Sequence, residues 1–212
     1  MSGNQPDTPV AFSKTTPLYG LLLAGGQSKR MGKDKAILVY HDQSQIKYGF
    51  KLLSGFCEKV FLSNRPEQSQ RDIYKDHPQI QDIFPNNIGP MAGILSALRA
   101  HPAVAWLVLG CDLPFVDNET LRLLVQNRNP LKTATAYLNS DGNLPEPLCA
   151  IYEPQSWFCL LRFFDSGIYS LRKFLVSADT HLLKQPGQNE LWNVNTLEEY
   201  HQAVELLKGE HC

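Results

Sequence analysis

The sequence predicts a three-layer α/β fold, with a mostly parallel central sheet and helices on both faces. Three observations predict it. Apolar segments that read as buried strands alternate with helix-period segments over residues 18–130. The run Ala103–Leu109 (AVAWLVL) is apolar without interruption, as a strand buried on both faces must be. The chain has 212 residues, 43% of them hydrophobic and 19% charged, enough to bury a core without disulfide or metal staples.

Residues 1–16 (MSGNQPDTPVAFSKTT) are polar and punctuated by proline, and read as a flexible tail. Residues 17–212 read as a single domain. Tyr19–Ala24 (YGLLLA) is a buried strand ended by Gly25-Gly26. Ser44–Phe56 carries Ile46, Phe50 and Leu53 at helical spacing, and Lys59–Ser63 (KVFLS) is strand-like. Gly89-Pro90 starts a helix, because proline suits a first helical position; Met91, Ile94, Leu95 and Leu98 form its apolar face. Asp117 caps a helix whose face is Leu121, Leu124 and Val125. Thr133–Leu138 and Leu148–Tyr152 are strands, Trp157–Phe164 is helical, and the last helix spans about Thr196–Leu207. Residues 131–195 are less regular and predict an antiparallel edge or a substrate-facing lobe.

Composition removes several functions. Twenty Lys plus Arg against 21 Asp plus Glu leave a net charge of −1 and no basic excess for nucleic acid. The longest apolar run is far too short to span a membrane. The first 28 residues carry one Lys and no apolar block, so no secretory leader is expected. Five cysteines without a CxxC pair argue against a disulfide framework or zinc site and fit a reducing cytoplasm. The six histidines show no metal-ligand spacing, and Arg172-Lys173 read as a solvated helix face in preference to a contact for a substrate phosphate.

The sharpest feature is LLLAGGQSKRMGKDKAIL, residues 21–38. A buried strand runs into Gly25-Gly26, where the backbone can approach a ligand and successive N–H groups form an anion nest. Lys29, Arg30, Lys33 and Lys35 follow, with only Asp34 opposing them. Donors and cations at a strand's carboxyl end suit nucleotide phosphates. A Walker A loop is excluded, since five residues separate Gly26 from Gly32 and Lys33 is followed by Asp34; GxGxxG is also missing.

This loop resembles the signature of Rossmann-like nucleotidyltransferases, and within them the chain is most similar to the molybdenum cofactor guanylyltransferases. The likeness continues through Asp82, GPMAG (89–93), LGCDLP (109–114), EPLCAIY (146–152) and NVNTLEE (193–199). It implies magnesium-dependent transfer of GMP from GTP to the phosphate of molybdopterin, with pyrophosphate leaving. Such chemistry rests on positioning and charge neutralisation, and an ionised phosphate nucleophile needs no general base. Apo-molybdoenzymes or cofactor-handling proteins are implied as transient partners. Rival readings are a molybdopterin cytidylyltransferase, a cobinamide or sugar-phosphate guanylyltransferase, and a non-catalytic nucleotide-binding regulator.

The resemblance assigns roles by residue. Lys35 and Arg30 are the phosphate clamp, and Leu23, Ala24, Gly25, Gly26, Ser63, Asp82 and Gly93 line the nucleotide; as residues alone, Asp82 is equally an ordinary strand-end aspartate and Gly93 a site of close helix packing. Asp112 takes catalytic, nucleotide and magnesium roles; as a residue alone it equally starts the turn Asp112-Leu113-Pro114. Glu146, Pro147, Asn193 and Asn195 lie on the acceptor side. Asn195 precedes Glu198 by three residues and Thr196 precedes Glu199 likewise, so Asn195 is alternatively a helix cap. Relatives carry Asn where this chain has Ser63, with Asn64 displaced by one position. LAGG at 23–26 is nonetheless the guanylyl-type pattern.

Overall fold

The computed structural model describes residues 16–24, 37–85, 88–139 and 141–209. Strands β1 (Leu18–Leu23), β2 (Lys59–Asn64), β3 (Gln79–Gln81), β4 (Ala105–Gly110), β5 (Ala134–Leu138), β6 (Pro145–Tyr152) and β7 (Thr180–Lys184) form one sheet in the order β3-β2-β1-β4-β6-β5-β7. The helices are α1 (Gln45–Ser54), α2 (Asp72–Lys75), α3 (Pro90–Ala100), α4 (Asn118–Gln126), α5 (Ser156–Asp165), α6 (Leu171–Ser177) and α7 (Leu197–Gly209).

The predicted fold class holds, because alternate side chains of the central strands feed two separate cores. Leu22, Leu62, Leu107, Leu109 and Ile151 pack on one face with Ile46 and Leu53 of α1 and Leu121 and Leu124 of α4. Leu21, Trp106, Val108 and Ala150 pack on the other with Ile94 and Leu98 of α3, Leu160 of α5 and Phe174 of α6. A continuously apolar β4 is what two buried faces require, and all six of its residues are buried. Among the described residues no helix is long and apolar enough to cross a membrane.

The region after residue 131 departs from expectation. The antiparallel strand is not an edge. β6 lies between β4 and β5, antiparallel to both, while the edge strand β7 runs parallel to β5. β6 also begins at Pro145 rather than Leu148. The helix caps follow local chemistry: Gly89 takes φ +62° ahead of Pro90, and the Asp117 side chain accepts the Thr120 N–H.

A third, smaller core joins Leu38 and Tyr40 to Val194 and to Ala203 and Leu207 of α7. It anchors the segment that follows the glycine–cation loop. The His41 imidazole Nε2 lies 2.8 Å from the Pro114 carbonyl, its ring stacks on Tyr48, and the Tyr48 hydroxyl donates to the Val116 carbonyl.

At the opposite end of the sheet, Arg128 makes a two-pronged ion pair with fully buried Glu153 (2.7 and 2.8 Å) and donates to the Thr16 carbonyl. Arg128→Met would leave a buried carboxylate without its partner. Urea unfolding should show a loss of about 3–5 kcal/mol.

Candidate active site

Three parallel strands deliver side chains to one edge. β1 pairs with β2 and β4, and the backbone contacts continue past the strand ends: Ala24 N–H donates to the Ser63 carbonyl, and Cys111 N–H to the Leu23 carbonyl, each at 3.2 Å. The chain moves outward from β1 through β2 to β3, then returns to place β4 on the other side of β1. The crevice at such a reversal, beyond the carboxyl ends of the strands, is where open α/β sheets bind ligands. Leu23, Ala24, Ser63, Asp82 and Asp112 all sit at this edge. Gly25, Gly26, Arg30 and Lys35 lie outside the described residues.

On one flank the Ser63 hydroxyl donates to Asp82 Oδ1 at 3.1 Å, and Ile83 N–H donates to Ser96 Oγ of α3. Asp82 is thereby held beside α3. Burial pushes its carboxyl up to about 6, with the Ser63 hydrogen bond and the Arg65 charge opposing. Gly93 has a packing reason: a Cβ there would collide with Ser63 Oγ and come within 2.9 Å of Leu23 Cδ2. Asn64 does not substitute for a carboxamide at position 63. Successive strand residues face opposite ways, and its Nδ2 donates to Gln79 Oε1 at 2.7 Å.

On the other flank the antiparallel direction of β6 matters, because its start lies at this same edge. Leu109 pairs with Cys149, so the register continued by three residues sets Asp112 opposite Glu146. Gly110 makes room, since a Cβ there would stand 2.5 Å from Asp112 Oδ1 and 3.1 Å from Leu148 Cβ. Glu146 is 5% exposed. Its Oε1 accepts the Leu148 N–H at 2.9 Å. Burial raises its carboxyl above the usual range, with the Asp112 charge adding and the Leu148 and Arg172 contacts opposing. Arg172 is therefore not simply solvated: it lies 3.6 Å from Glu146 Oε2 and donates to the Pro145 carbonyl. The Pro147 carbonyl is turned inward and accepts the Tyr152 hydroxyl.

The NVN segment arrives by one backbone bond. Val194 N–H donates to the Asp112 carbonyl at 2.8 Å, which brings Asn193 and Asn195 beside Asp112. Asn193 Oδ1 is buried with no hydrogen-bond partner among the described residues. Asn195 is not the helix cap. Thr196 Oγ1 accepts the Glu199 N–H, and Glu199 Oε2 accepts the N–H groups of Thr196 and Asn195. This is a capping box on Thr196. Tyr40 was not singled out by sequence. It packs edge-on against Tyr200, and burial, the Tyr200 hydroxyl and the Asp112 charge raise its phenol. A short apolar stretch directly after the cation cluster was the available signal.

A divalent cation fits this flank. The Asp112 carboxylate, just past the end of β4, offers hard oxygen donors, as magnesium prefers. Among the described residues no group of three or more His, Cys, Asp or Glu could hold a metal.

Two measurements probe this geometry. An acid whose carboxyl is raised on folding loses stability as pH rises from its ordinary value of 3.8 to its folded value of about 6. Urea titrations should therefore show wild type falling behind Asp82→Asn across that interval, by of order 2 kcal/mol, with a constant gap above it. Gly93→Ala should cost about 1–3 kcal/mol, and adding Ser63→Gly should restore part of it, because the collision is with that side chain.

The comparisons with known proteins agree with this architecture. Residues 20–181 match the model of the MobA-like NTP transferase domain. The chain is 39% identical over 187 residues to a molybdenum cofactor biosynthesis bifunctional protein of Synechocystis sp., covering 88% of this chain but 54% of that one; it thus spans about half the length of that relative. It is 29% identical over 196 residues to a probable molybdenum cofactor guanylyltransferase of Trichormus variabilis, covering 91% of each. It shares its fold with the crystal structure of molybdopterin-guanine dinucleotide biosynthesis protein A from Archaeoglobus fulgidus (TM-score 0.75, 22% identity, 90% and 99% covered). With the family model running from within β1 to the start of β7, over more than half of the chain, the chain belongs to the MobA-like NTP transferase domain family.

Proposed function

We propose that this chain transfers GMP from GTP to molybdopterin, with residues 17–212 acting as one domain in the cytoplasm; residues 1–15 of the expected tail lie outside the described residues, and the Thr16 carbonyl accepts from Arg128. The observation that carries the reading is the Val194–Asp112 backbone bond, which joins the acceptor-side segment to the acid at the nucleotide edge. Relatives named as molybdenum cofactor guanylyltransferases over nearly their whole length support the choice of substrates.

In this reaction a terminal phosphate oxygen of molybdopterin attacks the α-phosphorus of GTP, and the bond to the bridging oxygen of pyrophosphate breaks. Gly25, Gly26, Arg30 and Lys35 hold the triphosphate, as expected from the loop pattern. Leu23 and Ala24 lead the chain to it. Asp82, held by Ser63 beside the Gly93 turn of α3, contacts the nucleoside. Asp112 would hold magnesium, which would neutralise phosphate charge when bound. Glu146, Pro147 and Asn195 flank the acceptor, and Arg172 keeps Glu146 in place. No residue is needed as a base, because the nucleophile is already ionised. Delivery of the product to apo-molybdoenzymes or cofactor-handling proteins belongs to the same proposal.

One observation bears on the base. Ser63 is engaged with Asp82, and the Asn64 amino group with Gln79 on the opposite side of the strand, so position 63 at the end of β2 presents no carboxamide toward Asp82. Nucleotide choice is therefore measured directly. Pyrophosphate release with each NTP, with and without molybdopterin, should be greatest with GTP and molybdopterin together. Preference for CTP, or turnover only with a sugar phosphate or cobinamide, would overturn the reading. Asp112→Asn should lower kcat at least about 100-fold, the loss expected when several kcal/mol of metal-based charge stabilisation go. Normal GTP binding by that variant, with no turnover by wild type on any acceptor, would mark a non-catalytic regulator instead.

A further inference from the structure

A second hollow adjoins the acceptor-side segment, between the end of β7, the 185–193 loop and α7. Its volume is about 550 Å³. Its polar lining is almost entirely carboxamide: Asn139, Gln185, Gln188, Asn189, Asn193 and Gln202, with the Trp192 ring as its aromatic wall. Among the described residues, no charged side chain lines it.

That composition selects a ligand. A phosphate would be drawn to cations, and the described lining holds none. A carboxamide presents a donor pair and an acceptor on one rigid plane, so several together match a flat, neutral heterocycle whose edge alternates donors and acceptors. A single carboxamide is unremarkable on a surface; six around one hollow are not. Part of the set is already oriented. Asn139 Oδ1 accepts the N–H groups of Asn143 and Leu144, leaving its amino group for a ligand. The Gln185 amino group reaches the Gln188 carbonyl at 3.4 Å, a weak contact that a ligand can replace. Asn193 Oδ1, buried and without a partner among the described residues, is an acceptor awaiting a donor. Trp192 is fixed by stacking on Phe115 (5.4 Å between centroids, 19° between planes), so its indole is a rigid wall.

The hollow is also correctly placed. Asn193 belongs both to it and to the segment bonded to Asp112 through Val194. A ligand with a neutral ring at one end and a phosphate at the other could span from the carboxamides to the catalytic edge. We infer that this carboxamide hollow is the subsite for the neutral bicyclic ring of the acceptor, a 2-amino-4-oxo pterin edge, and that Gln188, Asn189 and Gln202 decide acceptor specificity. The inference rests on the proposed molybdopterin acceptor.

The test uses the full chain and 6-hydroxymethylpterin, a pterin without phosphate. Equilibrium dialysis should give wild-type binding with Kd of about 1 mM or tighter, weakened about tenfold or more in Asn189→Leu and Gln202→Leu. GTP affinity and unfolding midpoint should not change in either variant. In turnover assays the same variants should raise KM for molybdopterin and leave kcat nearly unchanged, as loss of uniform binding does. Gln202→Asn and Asn189→Gln keep the carboxamide and should restore part of the binding. No pterin binding by wild type, or equal binding by the leucine variants, would overturn the subsite. The two readings fail separately. Transfer to molybdopterin with unchanged KM in the leucine variants discards the hollow and keeps the reaction. Loss of pterin binding in those variants, in a protein that transfers GMP to no pterin phosphate, keeps the hollow and discards the reaction.

Discussion

The neighbouring parallel pair β1 and β4 is the constraint on which the site depends. Leu18 to Leu23 lie against Ala105 to Gly110 without a break. Parallel neighbours must be joined by crossovers, and here they lead away from β1 on one side before returning on the other. The two strand ends thus stand together while the loops that follow them diverge. β1 ends at that opening, and Asp82 after β3 and Asp112 after β4 are brought to it. The apolar content of β4 is a functional requirement as well as a packing one, because a strand buried on both faces cannot shift its register without exposing its core side chains.

The antiparallel β6 and the small third core then close the site from the far side. A parallel strand next to β4 would begin at the other end of the sheet. Reversal lets Glu146 start where Asp112 ends, and their like charges are tolerated because Leu148 N–H and Arg172 offset the carboxylate of Glu146. The third core shares none of its buried residues with the two cores on the sheet's faces. By packing Val194 with Leu38 and Tyr40, it holds the NVN segment against Asp112 and ties both to the segment emerging from the loop.

What could be read from sequence was what depends on near neighbours. Gly89-Pro90 and Asp117 mark helix starts through backbone geometry and a cap within three residues, and both stand where expected. The position of β6 could not be read, since alternation of apolar residues says which residues are strands and not which strands are neighbours. β3 has only three residues, too few for any period, and the mixed burial of β7 is that of an edge strand. The two overlapping capping spacings at 195–199 were indistinguishable as text; the helix starting at Leu197 gives the cap to Thr196. Arg172 read as solvent-facing because its partner, Glu146, lies in another element.

The balanced charge of the chain conceals a separation of environments. Cations lie in the 29–35 segment, carboxylates line the edge at Asp82, Asp112 and Glu146, and the hollow beyond Asn193 is neutral among the described residues. In a low-dielectric cleft such zones do not average out, because each acts over the few ångströms to its own ligand group. A dinucleotide-forming reaction needs three such zones: cations for a polyphosphate, a carboxylate for the metal on it, and uncharged planar donors and acceptors for a ring. A neutral hollow beside a charged edge is costly to misuse. A phosphate entering it would lose its water and its counter-charge, whereas a pterin ring at the charged edge would leave buried carboxylates facing an uncharged plane. In the proposed reaction the orientation of the acceptor would be set by what each end would lose in the other's place, with Asn193, which lines the hollow and adjoins the Asp112-bonded Val194, at the boundary.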